Sequence, residues 1–171
     1  MLSKIAIGLL LFSLMFIVVA CTAPTPTQTP NPTPSPSPSG PIKATWIEPQ
    51  VAGDTVSIPV SEVENNWNVH FNVKAQGEDM NFMAYVLDGE IHVRANVCPP
   101  CKSIGFSLGE DILICDRCAT TFKAKTGEGI KGACVDFPKA SVPYELSDGN
   151  IVMKGSGLIT AYQDTVEPGW S

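Results

Sequence analysis

The sequence predicts a small all-β domain over residues 42–171, a sheet or sandwich carrying two Cys-x2-Cys metal-binding loops, behind a signal peptide and a Pro-rich linker. Three observations predict it: short apolar runs with the alternation of half-buried strands, tight-turn dipeptides between them, and two cysteine pairs placed where strands end. The 171 residues carry a formal net charge of −6, with 44% apolar and 16% charged residues. That balance excludes a disordered chain. Lys4 is the only charge before position 42, so the 17 acidic residues fall in the domain against ten bases, a net −7. No basic run is left for phosphate, and no nucleic-acid partner is expected.

Residues 1–20 read as a lipoprotein signal peptide. Lys4 supplies the positive start, and Ile5 to Ala20 is a mostly apolar run of 16 residues. A spanning helix needs roughly 20, and the run is followed by cysteine instead of a basic stop. Its end, Val18-Val19-Ala20-Cys21, resembles a bacterial lipobox, which makes Cys21 the expected lipidation site. An uncleaved membrane anchor is the alternative. Both export the domain and tie it to a membrane, and two or three acyl chains on Cys21 would anchor it stably. Residues 21–41 hold this cysteine and a Pro/Thr/Ser-rich stretch with eight of the 15 prolines. Such a segment cannot bury a core and favours an extended, disordered spacer, reaching on the order of 60 Å. The expected location is the outer face of a bacterial cytoplasmic membrane.

Within the domain, Val69, Phe71 and Val73 alternate with Asn68, His70 and Asn72, the period of a strand with one wet face. Met80 to Leu87 is a second strand. Asp88-Gly89 signals a tight turn, and Ile91, Val93 and Ala95 alternate again, which completes a hairpin. Ile112 to Ile114, Tyr144 to Leu146 and Ile151 to Met153 are shorter strands, the last two joined by Ser147-Asp148-Gly149-Asn150. Ser61-Glu62-Val63-Glu64 has capping-box spacing and predicts one short helical turn. No long helical period is visible.

Cys98, Cys101, Cys115 and Cys118 form two Cys-x2-Cys pairs separated by 13 residues. Two thiols three positions apart on a short loop can point at one ion. Two such loops joined by a sheet close a four-sulfur site, and soft thiolates select zinc or iron–sulfur chemistry over calcium, magnesium or copper(II). Disulfides are a rival in an exported protein, although five cysteines cannot all pair and each close pair would close a strained ring. Cys98-Pro99-Pro100-Cys101 also has the form of a thiol–disulfide oxidoreductase pair, but Lys102-Ser103-Ile104-Gly105 continues no helix to stabilise a thiolate. Haem attachment needs histidine where Lys102 and Ala119 stand.

After the second pair come Phe122, Thr126-Gly127-Glu128-Gly129, Pro138, and Pro143-Tyr144-Glu145-Leu146. This order is similar to that of Rieske domains, with cysteines at all four ligand places. Gly105-Phe106 after the first pair, Phe122 after the second, and Gly132-Ala133-Cys134 beyond it resemble the pattern of the membrane iron–sulfur-containing FtrD-like family. The likeness runs back over Val56–Val60 and the Met80–Ala95 hairpin, covering residues 50–155. Asn96-Val97 stands where the family pattern has Asp-Ala, and Val135-Asp136-Phe137-Pro138 where it has Asn-Pro. The resemblance implies an iron–sulfur or ferredoxin-like protein, associated in some bacteria with ferrous-iron uptake, in a lipid-anchored form without the multi-span part of many relatives.

His70 and His92 fall on the polar faces of their strands, beside Asn68 and Asn72 or Glu90 and Arg94, and read as solvated surface residues. Met80, Met83 and Met153 read as core, and Trp46 and Trp67 as packing residues. Cys134 stands open between an alternative ligand, a buried free thiol and a group beside the ligands. No paired carboxylates, nucleophile elbow or phosphate loop is present. The expectation is an exported, membrane-anchored electron carrier with a [2Fe–2S] cluster on Cys98, Cys101, Cys115 and Cys118, served by a redox partner protein or membrane complex. The alternatives are a redox-silent zinc-ribbon module for protein contacts and, third, a dithiol oxidoreductase; an electron carrier or binding module is favoured over a stand-alone enzyme.

Overall fold

The computed structural model describes residues 40–168; the apolar leader, Cys21 and the linker up to residue 39 lie outside the described residues. The elements are β1 (Thr45–Trp46), β2 (Gln50–Ala52), β3 (Thr55–Pro59), α1 (Val60–Asn66), β4 (Asn68–Ala75), β5 (Glu78–Leu87), β6 (Glu90–Ala95), β7 (Phe106–Leu108), β8 (Ile112–Cys115), β9 (Thr121–Lys123), β10 (Gly129–Lys131), β11 (Tyr144–Ser147), β12 (Asn150–Lys154) and α2 (Gly155–Val166). They form three four-stranded sheets, with orders β1-β4-β5-β6, β10-β9-β8-β7 and β11-β12-β3-β2. The mostly β architecture is the one expected.

The central sheet grows from the β4–β5–β6 meander, in which Phe71 pairs with Phe82 and Phe82 with Ala95. Gln76-Gly77 and Asp88-Gly89 make its turns with positive φ at both positions, the twist that two-residue hairpins require. One face of this sheet, with Val69, Phe71, Phe82, Ala84 and Val93, packs on Val56, Ile58, Ile151 and Met153 of the third sheet and on Leu158 and Ala161 of α2. The other face presents Met83, Tyr85 and Leu87 to Phe106, Leu108, Leu113 and Phe122 of the cysteine-bearing sheet. Met80, Met83 and Met153 are all core residues.

That second core corrects the sequence reading of the polar faces. Asn68, His70, Arg94 and Asn96 alternate as expected but are buried, none more than 4% exposed. His92 is half-buried and stacks on Tyr85, so neither histidine is a solvated surface residue. Of these polar heads, Asn68 and Arg94 donate to carbonyls on the cysteine-bearing side, while the His70 ring and the Asn96 amide have no hydrogen-bond partner. Asn68 Nδ2 reaches Phe106 O at 3.0 Å, and Tyr85 Oη reaches Ala124 O at 2.5 Å. An alternation of polar and apolar residues reports two environments, and here the polar one is a second protein layer. Trp46 is likewise corrected: it is 49% exposed, its ring edge-on to His70.

Two helical expectations also change. α1 covers seven residues, starts one residue before Ser61, and has no side-chain cap, so the capping-box spacing goes unused. α2 departs from the expectation of no long helix. Its 12 residues bury Leu158, Ala161 and Thr165, a narrow stripe of small groups, and Gly155 and Gly157 weaken the helical signal.

His70 makes one consequence measurable. Neither ring nitrogen has a hydrogen-bond partner, and burial lowers its pKa from the usual 6.5 to about 4, outweighing the opposing pull of the Asp116 charge. Between these values the unfolded chain binds a proton that the folded one does not. The contribution is therefore present above about pH 6.5 and is lost as pH falls towards 4, on the order of 3 kcal/mol over the window. Urea unfolding of the wild type should weaken more steeply from about pH 7 to 4.5 than that of His70→Leu; parallel slopes would remove His70 from this account.

Candidate metal centre

The two cysteine loops share one backbone shape. The amide of each first cysteine donates to the carbonyl five residues on, Cys98 to Ser103 at 2.8 Å and Cys115 to Thr120 at 2.9 Å. The residue after each second cysteine is left-handed, Lys102 at φ 56° and Ala119 at φ 55°. The first loop joins β6 to β7 and the second joins β8 to β9. Because β7 and β8 pair with Phe106 opposite Cys115, the loops lie side by side.

The four sulfurs of Cys98, Cys101, Cys115 and Cys118 all lie within 4.8 Å of one another, and the Cys101 and Cys115 Sγ atoms are 3.7 Å apart. A tetrahedron of thiolates at a metal–sulfur bond of about 2.3 Å has an edge of about 3.8 Å. The donor set therefore fits a soft, thiophilic centre. Cys98 and Cys115 are buried, while Cys101 and Cys118 are half-exposed. Cys134, buried in the segment after β10, stands beside this group with its Sγ 3.8 Å from that of Cys118. Its amide donates to Thr120 Oγ1 at 3.3 Å. His70 and His92 are not part of the group.

The thiols differ in how readily they ionise. Burial pushes Cys98 up, reinforced by hydrogen bonds from Cys134 and Cys101; burial also raises Cys115, against the Ser103 hydroxyl. For Cys118, burial acts upward but is outweighed by hydrogen bonds from the Thr120 hydroxyl and amide and from Cys115 and Cys101, bringing it down to about 6. Buried thiols of this kind become thiolates when a cation takes the place of their protons.

Several residues of the site carry no signature that the cysteine spacing reveals. Ser103 and Thr120 occupy the same offset in the two loops, a match visible on aligning the loops by their cysteines. Lys139 is fully buried and donates to Val97 O at 2.7 Å, with its Nζ 4.6 Å from the centre of the Phe122 ring. Burial lowers its pKa to about 8, and the neighbouring Cys98, Cys115, Cys134 and Cys101 pull it back up. Arg94 donates to the carbonyls of Ala124, Lys125, Thr126 and Lys139. Gly127 has φ +81°, and a β-carbon there would collide with the Lys139 carbonyl, so glycine lets this segment close on the guanidinium.

The fold and site define a small β protein with a four-cysteine metal-binding centre. Residues 63–163, more than half of the chain, match the family described as "Membrane iron-sulfur containing protein FtrD-like", and the chain belongs to that family. No curated protein matches it. Among solved structures it is similar to the Sphingomonas yanoikuyae B1 ferredoxin, at 21% identity, covering 56% of this chain and 92% of that one with a TM-score of 0.47. It is also similar to a chain of the complex of reduced oxygenase and oxidized ferredoxin in carbazole 1,9a-dioxygenase, at 17% identity, covering 50% and 80% with a TM-score of 0.42. Among the described residues, no helix is long and apolar enough to cross a membrane.

Proposed function

We propose that the chain is an exported, lipid-anchored electron carrier whose iron–sulfur centre is a [2Fe–2S] cluster held by Cys98, Cys101, Cys115 and Cys118. The observation that carries this is the convergence of four thiols from two equivalent loops in a member of an iron–sulfur family. A bound cluster would supply one-electron exchange without proton or group transfer. The chain's own residues suit that task. Cys98 and Cys115 lie in a dry core, while half-exposed Cys101 and Cys118 give a partner a short route to the metal. The Ser103 and Thr120 hydroxyls support thiolate on Cys115 and Cys118. A cavity of about 520 Å³ beside Gln76, Glu78 and Tyr162 includes none of the cysteines. The proposed partners are a membrane, through lipid on Cys21, and a redox protein or membrane complex; the link to ferrous-iron uptake rests on the family resemblance.

A single tetrahedral ion, iron or zinc, is the second reading, favoured by the approach of all four sulfurs to within 4.8 Å. Metal and sulfide analysis of full-length protein prepared without oxygen separates the two. The cluster reading expects colour that dithionite bleaches, a half-integer spin signal, and two irons with two acid-labile sulfides per chain. Its potential should lie below the Rieske range of about −150 to +300 mV, because thiolates replace imidazoles. One iron without sulfide selects the single-ion form. Colourless protein with about one zinc per chain ends the electron-carrier proposal.

The anchor has its own test. Cys21→Ser should accumulate as unprocessed precursor that takes up no labelled lipid. Normal processing of this variant to a soluble form would end the lipoprotein proposal.

A further inference from the structure

Lys139 is placed where a lysine is ordinarily excluded. Its side chain is wholly buried, its ammonium donates to the Val97 carbonyl at 2.7 Å, and the Phe122 and Phe106 rings stand 4.6 and 5.5 Å away. The ion pairs found among the described residues join Lys74 to Asp79 and Lys123 to Glu128; none involves Lys139. A buried charge is strongly unfavourable without a partner of opposite sign, and a carbonyl with two ring faces offsets only part of that. The acidic groups that face it are the thiols of Cys98, Cys115, Cys134 and Cys101, and the carbonyl it holds belongs to the residue before Cys98. Once a metal takes the protons of these thiols, the thiolates would supply the counter-charge.

We propose that Lys139 is the charge partner of the metal centre, a buried ammonium that favours its more negative states and so raises both its reduction potential and its hold on metal. The inference rests on the four-cysteine metal reading above, not on which metal is present. Uptake of one electron makes a thiolate-bound centre one unit more negative, with no bond formed or broken. A buried cation beside it stabilises the reduced form more than the oxidised one, through an interior far less screening than water.

The test compares Lys139→Met with Lys139→Arg in the full-length, metal-loaded protein. Methionine keeps an apolar stem against Phe106 and Phe122 and removes the charge; arginine keeps the charge. With metal content unchanged, the methionine variant should be harder to reduce by at least about tenfold, ~59 mV for a one-electron couple, and the arginine variant should stay near wild type. Equal potentials in wild type and Lys139→Met, or equal shifts in both variants, would overturn the proposal. If the methionine variant does not fold, Lys139→Gln, whose amide can still reach Val97, carries the same comparison. Failure of both neutral variants to fold would make Lys139 a folding residue and also overturn it. If the wild type is colourless and holds zinc, the electron-carrier proposal fails on its own. Chelator competition then reads the charge, with Lys139→Met expected to lose metal at about tenfold lower chelator and equal loss counting against it.

Discussion

Serine in place of any one of Cys98, Cys101, Cys115 or Cys118 is expected to empty the centre, with metal falling to a small fraction of the wild-type content. A four-sulfur site that loses one thiolate opens to water and no longer matches a soft ion. Metal held at a thousandfold above its dissociation constant stabilises the folded chain by about 4 kcal/mol, so the thermal midpoint should fall with the metal. The loss should be worst at Cys98 and Cys115, which belong to the core that joins the central sheet to the cysteine-bearing one. Cys134→Ser is the internal control. Its sulfur stands beside the four paired thiols, next to Cys118 and Cys98, and metal content should persist while the spectrum or the lifetime of the centre changes. Metal analysis beside thermal unfolding checks the series. A paired-cysteine variant that keeps full stoichiometry and an unchanged spectrum removes that residue from the ligand set.

How much of this was legible in the sequence follows from which contacts are local. The β4–β5–β6 meander was readable because its strands are long, their apolar residues alternate, and Asp88-Gly89 has one favoured turn. The convergence of four thiols was readable because a pair three apart on a loop fixes two donors, and the sheet had only to bring two loops together. β7, β9 and β10 have three residues each, too few for any period to show. The largest misreading, His70 and His92 as solvated surface residues, comes from treating a polar strand face as a wet one. What covers that face is the cysteine-bearing sheet, contributed by residues that lie later in the chain, and alternation cannot tell a layer of carbonyls from water. Lys139 is the extreme case. A lysine in a proline-containing stretch reads as surface, and only the tertiary structure shows that the nearest acids are thiols.

Arg94→Leu should cost about 4 kcal/mol of stability, lowering the thermal midpoint by roughly 15 °C in a domain of this size. Arg94 is 4% exposed. Its Nε donates to Tyr85 Oη at 2.8 Å, and its Nη atoms donate to Thr126 O at 3.1 Å, Lys139 O at 2.9 Å and Lys125 O at 2.5 Å. One side chain on the central sheet thus gathers the turn between β9 and β10 and the backbone of Lys139. Leucine fills part of the space but leaves the buried Lys139 carbonyl without its donor, strips the Tyr85 hydroxyl of the guanidinium, and releases the part-buried carbonyls of Lys125 and Thr126; a buried orphan costs about 1–3 kcal/mol before relaxation. A loss of that size is a large share of the 5–15 kcal/mol that holds a typical domain together. Lysine should recover little, because an ammonium cannot reproduce a planar fork that reaches four carbonyls. The effect should also reach the metal site with every cysteine intact, since releasing the Lys139 backbone frees the ammonium that holds the Val97 carbonyl next to Cys98. Urea unfolding and metal retention measured on the same preparations check both halves. Arg94→Leu within about 1 kcal/mol of wild type would show that the guanidinium contributes little to holding the two sheets together.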